Sequence, residues 1–214
     1  YIATPPDSHK EYALKVAEAE KPCCIEKPMA PRYADCLVIV DHFKKKELPL
    51  FVAYYRRTLP RFKKIKIWLD NGDIGEPRHI SWVYSCPASE QDLSKEYNWR
   101  TDANIATGGY FDDLASHGLD LFNFLLGDIC EVTGFRTNQQ NLYTADDAVS
   151  AIWKHSSNIT GSGSWNFGSF LYQDRVQILG SEGNIDFSIF SHRPIILENK
   201  NILEEVNIEH PENI

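Results

Sequence analysis

A lysine set between an acid and a proline, Glu26-Lys27-Pro28, directly follows the short apolar run Cys23-Cys24-Ile25. At the end of a strand, a fixed ammonium can orient a substrate hydroxyl or polarise a carbonyl by stabilising charge that develops on oxygen. The plainer reading of Lys27 is an exposed loop lysine. Further along, Gly108-Gly109-Tyr110-Phe111-Asp112-Asp113-Leu114-Ala115-Ser116-His117 puts Asp113 and His117 at positions i and i+4, on one face of a helix. A carboxylate that holds an imidazole gives a base titrating near neutrality, suited to taking a proton from an alcohol. The same spacing also describes a helix-surface pair or a satisfied core histidine.

Other patterns carry less. Gly161-Ser162-Gly163-Ser164-Trp165-Asn166 begins like a dinucleotide fingerprint, but it lacks the third glycine and falls among strands, so it is rejected. No other GxGxxG occurs, and no loop for a pyrophosphate is therefore visible. Lys44, Lys45, Lys46, Arg56, Arg57, Arg61, Lys63, Lys64 and Lys66 crowd together, which fits either a phosphate-bearing ligand or a solvated helix face and loop. The formal net charge of -8 argues against a nucleic-acid partner. Five cysteines (Cys23, Cys24, Cys36, Cys86, Cys130) form no CxxC pair, which speaks against a disulfide framework and a zinc site and for a reducing, cytoplasmic setting. Asn158-Ile159-Thr160 is a formal glycosylation sequon of little weight outside secreted proteins.

The elements that must position these residues follow from hydrophobic period and turn signals. Tyr1-Ile2-Ala3 is a strand-like run halted by Thr4-Pro5-Pro6. Helices are expected over 8–20 and 31–46, and strands over 23–25 and 50–55. Strand, helix, strand, helix, strand is the order of a parallel, doubly wound sheet, whose ligands bind at loops such as Thr4-Pro5-Pro6 and Glu26-Lys27-Pro28. After Arg57 the pattern changes. A helix over 60–69 leads through the turn-rich 70–75 to a strand over 80–84, and a helix over 109–126 carries Leu114, His117, Leu121 and Leu125 on one face. Short strands follow around Val132 and over 148–153, 161–167, 176–179 and 185–187, separated by turns as in an antiparallel sheet. With 214 residues, 43% of them hydrophobic, the chain suits one or two ordinary globular domains. A boundary near Arg57 divides it into 1–57 and 58–214. No apolar run reaches the ~20 residues of a membrane span. The opening has no initiator methionine or secretory signal, and a start on Tyr1 reads as that of a fragment.

In their order and separations, Tyr1-Ile2-Ala3-Thr4-Pro5-Pro6 with His9, Glu26-Lys27-Pro28, Tyr55-Arg56-Arg57, Trp99-Arg100, and Gly108-Gly109 leading to Asp113, His117 and Asp120 resemble the Gfo/Idh/MocA oxidoreductases, the glucose-fructose oxidoreductase and inositol dehydrogenase type. The likeness continues through Asp146-Asp147-Ala148-Val149, Trp165-Asn166-Phe167 and Ile178-Leu179-Gly180-Ser181-Glu182-Gly183. It implies an α/β then α+β chain: the C-terminal part of a Rossmann domain (1–57), lacking its glycine-rich loop, then an open, mostly antiparallel sheet with helices on one face (58–214). Roughly 70 residues would precede Tyr1, at about 30 per βαβ unit, and a further helix and tail would follow Pro211-Glu212-Asn213-Ile214.

The resemblance also implies roles. Lys27 is similar to a catalytic lysine and Asp113 and His117 to the pair at the substrate, with His117 as general acid/base. Thr4, Pro5, Pro6, His9, Glu26 and Pro28 look like loops contacting the nicotinamide of NAD or NADP and its ribose, with Lys27 beside them and Arg57 and Arg100 lining the cleft. The implied activity is hydride transfer to or from a hydroxyl or carbonyl of a sugar, polyol or related diol, in a homo-oligomer joined through the open sheet. A catalytically silent nucleotide- and sugar-binding regulator, an NAD-dependent glycosidase, and a fragment inert by itself are the alternatives.

Overall fold

A computed structural model describes residues 1–209, which form two compact units. The expectation for Pro211–Ile214 lies outside the described residues. The first unit comprises Tyr1–Tyr54, Ser89–Ser116 and Gln140–Asp146; the second comprises Tyr55–Ala88, His117–Gln139 and the chain from Asp147 onward.

In the first unit, β1 (Cys23–Ile25) and β2 (Leu50–Val52) pair in parallel, and Ile2 forms a parallel bridge to Ile25. The helices α1 (His9–Glu18) and α2 (Tyr33–Lys45) connect them. Their apolar faces and the strands bury Ala13, Ala17, Ile25, Ile39 and Phe43, as the helical spacing of these residues requires. The β2 strand stops at Val52, and Tyr55–Thr58 turns as a 3-10 helix where Tyr55 had been expected to continue the strand. A short helix absent from the expectations, α4 (Glu90–Ser94), is closed by a capping box between Ser89 and Asp92.

The second unit holds α3 (Pro60–Asn71), α5 (Ser116–Leu126) and eight strands: β3 (Pro77–Ser85), β4 (Ile129–Thr137), β5 (Ala148–His155), β6 (Thr160–Asn166), β7 (Gln173–Gly180), β8 (Gly183–Phe187), β9 (Ile195–Asn199) and β10 (Leu203–Val206). Their order is β10-β9-β8-β7-β3-β6-β5-β4, antiparallel throughout except for the parallel pair β3 and β6. The sheet is therefore open and mostly antiparallel. Gly161-Ser162-Gly163 lies inside β6, in extended pairing with its neighbours. The last two strands were not foreseen: β9 begins just after Pro194, and Leu203-Glu204-Glu205-Val206 is a polar edge whose partner only the fold supplies.

One face of the sheet carries the core. Trp82 on β3 meets Phe122 of α5 with ring centroids 5.7 Å apart and Trp165 of β6 at 5.3 Å, both edge to face. The helix reaches Trp82 only because residue 118 is glycine: a Cβ there would stand 2.3 Å from the indole. The other face leaves Val83, Phe135 and Ile152 exposed among serines and glycines.

The crowded cations of the sequence are dispersed. Lys45, Lys46, Arg57, Lys64 and Lys66 pair with Asp41, Glu18, Asp120, Glu204 and Asp70, while Arg61 is buried. These contacts favour the solvated-face reading over a phosphate site. Among the described residues no helix is long and apolar enough to cross a membrane.

A Gly→Ala change inside a helix ordinarily stabilises by about 0.5–1 kcal/mol. Gly118→Ala is expected instead to destabilise by roughly 1–3 kcal/mol, because the added methyl overpacks Trp82; urea denaturation decides the sign. On the other sheet face His79 lies between Thr160 Oγ1 (2.8 Å) and Ser162 Oγ (3.1 Å), and burial lowers its pKa. The folded state thus disfavours its protonation, and its contribution to stability, complete above about pH 6.5, is expected to fade as pH falls below that value. His79→Gln should flatten this part of the stability curve.

Candidate functional site

The carboxyl ends of two parallel strands set the site's starting point in the first unit. Ile2 leads into Thr4-Pro5-Pro6, and β1 leads into Glu26-Lys27-Pro28, where prolines end both strands. His9, 1% exposed, ties the two loops together: its Nε2 lies 2.7 Å from the Thr4 carbonyl and its Nδ1 3.0 Å from the Pro28 carbonyl. Both partners only accept, so a neutral imidazole donates to one at a time. Ser8 Oγ donates to the Pro5 carbonyl at 2.9 Å and reinforces the first loop. Tyr1 donates its phenol proton to Glu26, whose carboxylate is the main reason the phenol pKa is pushed up to about 12. The Lys27-Pro28 peptide bond is cis.

Lys27 is not an exposed loop lysine. Its side chain is 15% exposed, and its ammonium donates to the Asp113 carboxylate and, at 2.7 Å, to the Asp113 carbonyl. Residues 86 positions apart in sequence are thus joined through one cation. Arg100 approaches the same carboxylate, Nε to Oδ2 at 3.6 Å, with its guanidinium 4.4 Å from the centre of the Trp99 ring. Lys27, Pro28, Pro6, Trp99, Arg100 and Asp113 line a cavity of about 20 Å³, far below the size of an organic-ligand pocket.

What holds Asp113 and Arg100 was not legible in the sequence. Gly108 and Gly109 open the helical stretch that becomes a π-helical turn over Phe111–Ala115. Asp112 accepts from the Gly108 amide at 2.9 Å, and Gly109 has φ +58° with a Cβ position 2.7 Å from Ala145 Cβ, so only glycine fits. π turns accommodate an extra residue and recur at functional sites. The segment bearing Trp99 and Arg100 is anchored by Tyr110, whose hydroxyl donates to buried Asp92 (3.0 Å) and accepts from Asn98 Nδ2 (3.1 Å). Burial is the main cause raising the Tyr110 phenol pKa.

Thr4, Pro5, Pro6, His9, Glu26, Lys27, Pro28, Arg100 and Asp113 all lie in the first unit; His117 and Arg57 belong to the second. There, Arg57 forms a two-pronged ion pair with Asp120 of α5, Nε to Oδ2 at 2.6 Å. His117, 6% exposed, meets the Tyr55 ring edge to face at 5.6 Å.

The chemistry of these residues, an ammonium beside an aromatic ring, is compatible with the nicotinamide end of a dinucleotide, while the cavity of about 20 Å³ between them does not hold one as it stands. Two loops at the carboxyl ends of parallel strands, an aromatic ring and a part-buried ammonium converge there, which is where doubly wound sheets bind such ligands. Residues 1–209 contain no glycine-rich loop for the pyrophosphate.

The oxidoreductase family with an NAD-binding Rossmann fold matches residues 1–54, and the GFO/IDH/MocA C-terminal domain matches residues 62–186. A protein named oxidoreductase P35 from Formosa agariphila is 32% identical over all of this chain and 66% of its own length. A myo-inositol 2-dehydrogenase from Thermotoga maritima is 26% identical over 86% of this chain and 54% of its own. The chain therefore spans less than two thirds of these relatives. The structure of a levoglucosan dehydrogenase in complex with NADH and levoglucosan superposes with a TM-score of 0.86 at 24% identity, over 97% of this chain and 60% of that one, a likeness of fold.

His9→Ala removes the tie between the two loops and leaves two carbonyls without it. A loss of about 1–3 kcal/mol in unfolding free energy is expected, with faster hydrogen exchange at Lys27 than at α2.

Proposed function

Because the chain belongs to the Gfo/Idh/MocA oxidoreductase family, we propose that it acts as an NAD- or NADP-dependent oxidoreductase on a hydroxyl or carbonyl of a sugar, polyol or related diol. The observation that carries this reading is the part-buried Lys27 ammonium, held on Asp113 beside the loops at the carboxyl ends of parallel strands.

In this proposal residues 1–57 form the cofactor-binding part and 58–214 the substrate and assembly part. Thr4, Pro5, Pro6, Glu26 and Pro28, fastened by His9, flank the nicotinamide and its ribose, and Arg100 and Arg57 are further site residues. The cofactor, when bound, supplies the hydride acceptor or donor. In the oxidation direction the substrate hydroxyl gives its proton to the His117 imidazole as its carbon gives up hydride. The Lys27 ammonium stabilises the negative charge that develops on oxygen. Asp113 aims the ammonium. Reduction runs through the same groups in reverse, with His117 returning the proton.

The open sheet face bearing Val83, Phe135 and Ile152 is the contact we assign to a homo-oligomer. Five free cysteines fit a reducing, cytoplasmic setting.

Turnover of a panel of inositols, pyranoses and anhydrosugars, followed by nicotinamide absorbance in the full-length protein, tests the activity. Lys27→Met and His117→Gln should each lower kcat/KM about 10²–10⁴-fold while binding of NADH, read by fluorescence, persists. Retained turnover in both variants refutes the assignment. Ile152→Asp should shift the light-scattering mass to that of the monomer.

A further inference from the structure

The loop between β8 and β9 is held more firmly than a hairpin connection needs. Asp174, 3% exposed at the start of β7, accepts from three successive backbone amides of this loop: Ile189 at 3.3 Å, Phe190 at 2.6 Å and Ser191 at 3.1 Å. It also accepts from the Trp82 indole at 3.1 Å. From the other side Arg61 donates to the carbonyls of Ser191 (3.1 Å) and Arg193 (2.9 Å), and Arg56 donates to that of Ile189 (2.8 Å). Burial disfavours the charge on both arginines, lowering their pKa values. Charged side chains withdrawn from water for the sake of one short loop are costly.

Their joint effect is to plant one ring. Phe190 lies under the Arg56 guanidinium at 4.5 Å, against Tyr84 at 5.7 Å and Trp82 at 6.3 Å, and edge to face with His117 at 6.3 Å. Tyr55 meets the same imidazole at 5.6 Å. We infer that Phe190 is a positioning residue for His117, locked in place by Asp174. The inference rests on His117 as the proton-transfer group. Two rings packed on the imidazole restrict its χ2 rotation, so one nitrogen is presented consistently. A proton acceptor misplaced by about 1 Å can lose on the order of 10²-fold in rate.

The test combines imidazole ¹⁵N NMR of the protein without added ligand, His117 being assigned by His117→Gln, with turnover of the fastest substrate in the panel above. Phe190→Leu, which keeps apolar bulk without the ring, is expected to shift or broaden the His117 nitrogen signals. It should lower kcat about tenfold or more, with KM held within about twofold. Phe190→Tyr, which restores the ring, should recover most of both, and Asp174→Asn should behave like Phe190→Leu. Unchanged His117 signals in Phe190→Leu, or equal losses in the leucine and tyrosine variants, overturn the inference. Should Asp174→Asn fail to fold, the two Phe190 variants still decide. If His117→Gln keeps full turnover, the proton-transfer role of His117 fails instead, and the nitrogen signals alone judge the positioning of its ring.

Discussion

A lysine ammonium largely withdrawn from water must find acceptors for its protons, and Lys27 finds them on one residue: the carboxylate and the backbone carbonyl of Asp113. Removing one partner of such a pair strands the other charge, at a cost of about 3–5 kcal/mol when fully buried. This contact constrains everything around it in the first unit. The β1 strand must end where it does, Pro28 must turn the chain, and the stretch from Gly108 must enter its helix at the angle that Gly109 and Ala145 allow. Arg100 and Trp99 complete the surroundings, and Asp92, Tyr110 and Asn98 hold them there through part-buried hydrogen bonds.

The second unit is organised around its aromatic core. Trp82 touches Phe122, Trp165, Tyr84 and Phe190, and its indole proton is satisfied by Asp174, as a buried tryptophan requires. Asp174 thereby serves the core and the β8–β9 loop at once. Close approach of α5 through Gly118 accompanies the contact of His117 with Phe190. A ring packed on the core, Phe190, also flanks the His117 imidazole.

Much of this could be read from residue order. The helical periods of 9–18 and 33–45, the prolines that follow Ile2 and β1, and the run of short strands after Gly127 follow from local stereochemistry, which acts between near neighbours in sequence. Lys27, Asp113 and His117 were identifiable as chemically capable residues, and their ordered spacing with the surrounding motifs pointed to a family. Spacing could not say which contacts they make, since Lys27 and Asp113 meet across 86 positions.

Tertiary structure alone decided the rest. The basic run from Lys44 to Lys66 looked like one patch, yet Lys45, Arg57, Lys64 and Lys66 meet separate carboxylates and Arg61 enters the core. His9 proved to be a clasp between two loops, a role set by two carbonyls that folding brings together. The parallel pairing of β3 with β6 and the polar strand β10 depend on partners far away in the chain, and Phe190 carries no local signal at all. Sequence pattern determines which segments can be helix or strand and which residues can do chemistry, because those properties are intrinsic or short-range. Which of them are buried, paired and aimed is decided only by the folded chain, where desolvation and hydrogen bonding act between residues that sequence keeps apart.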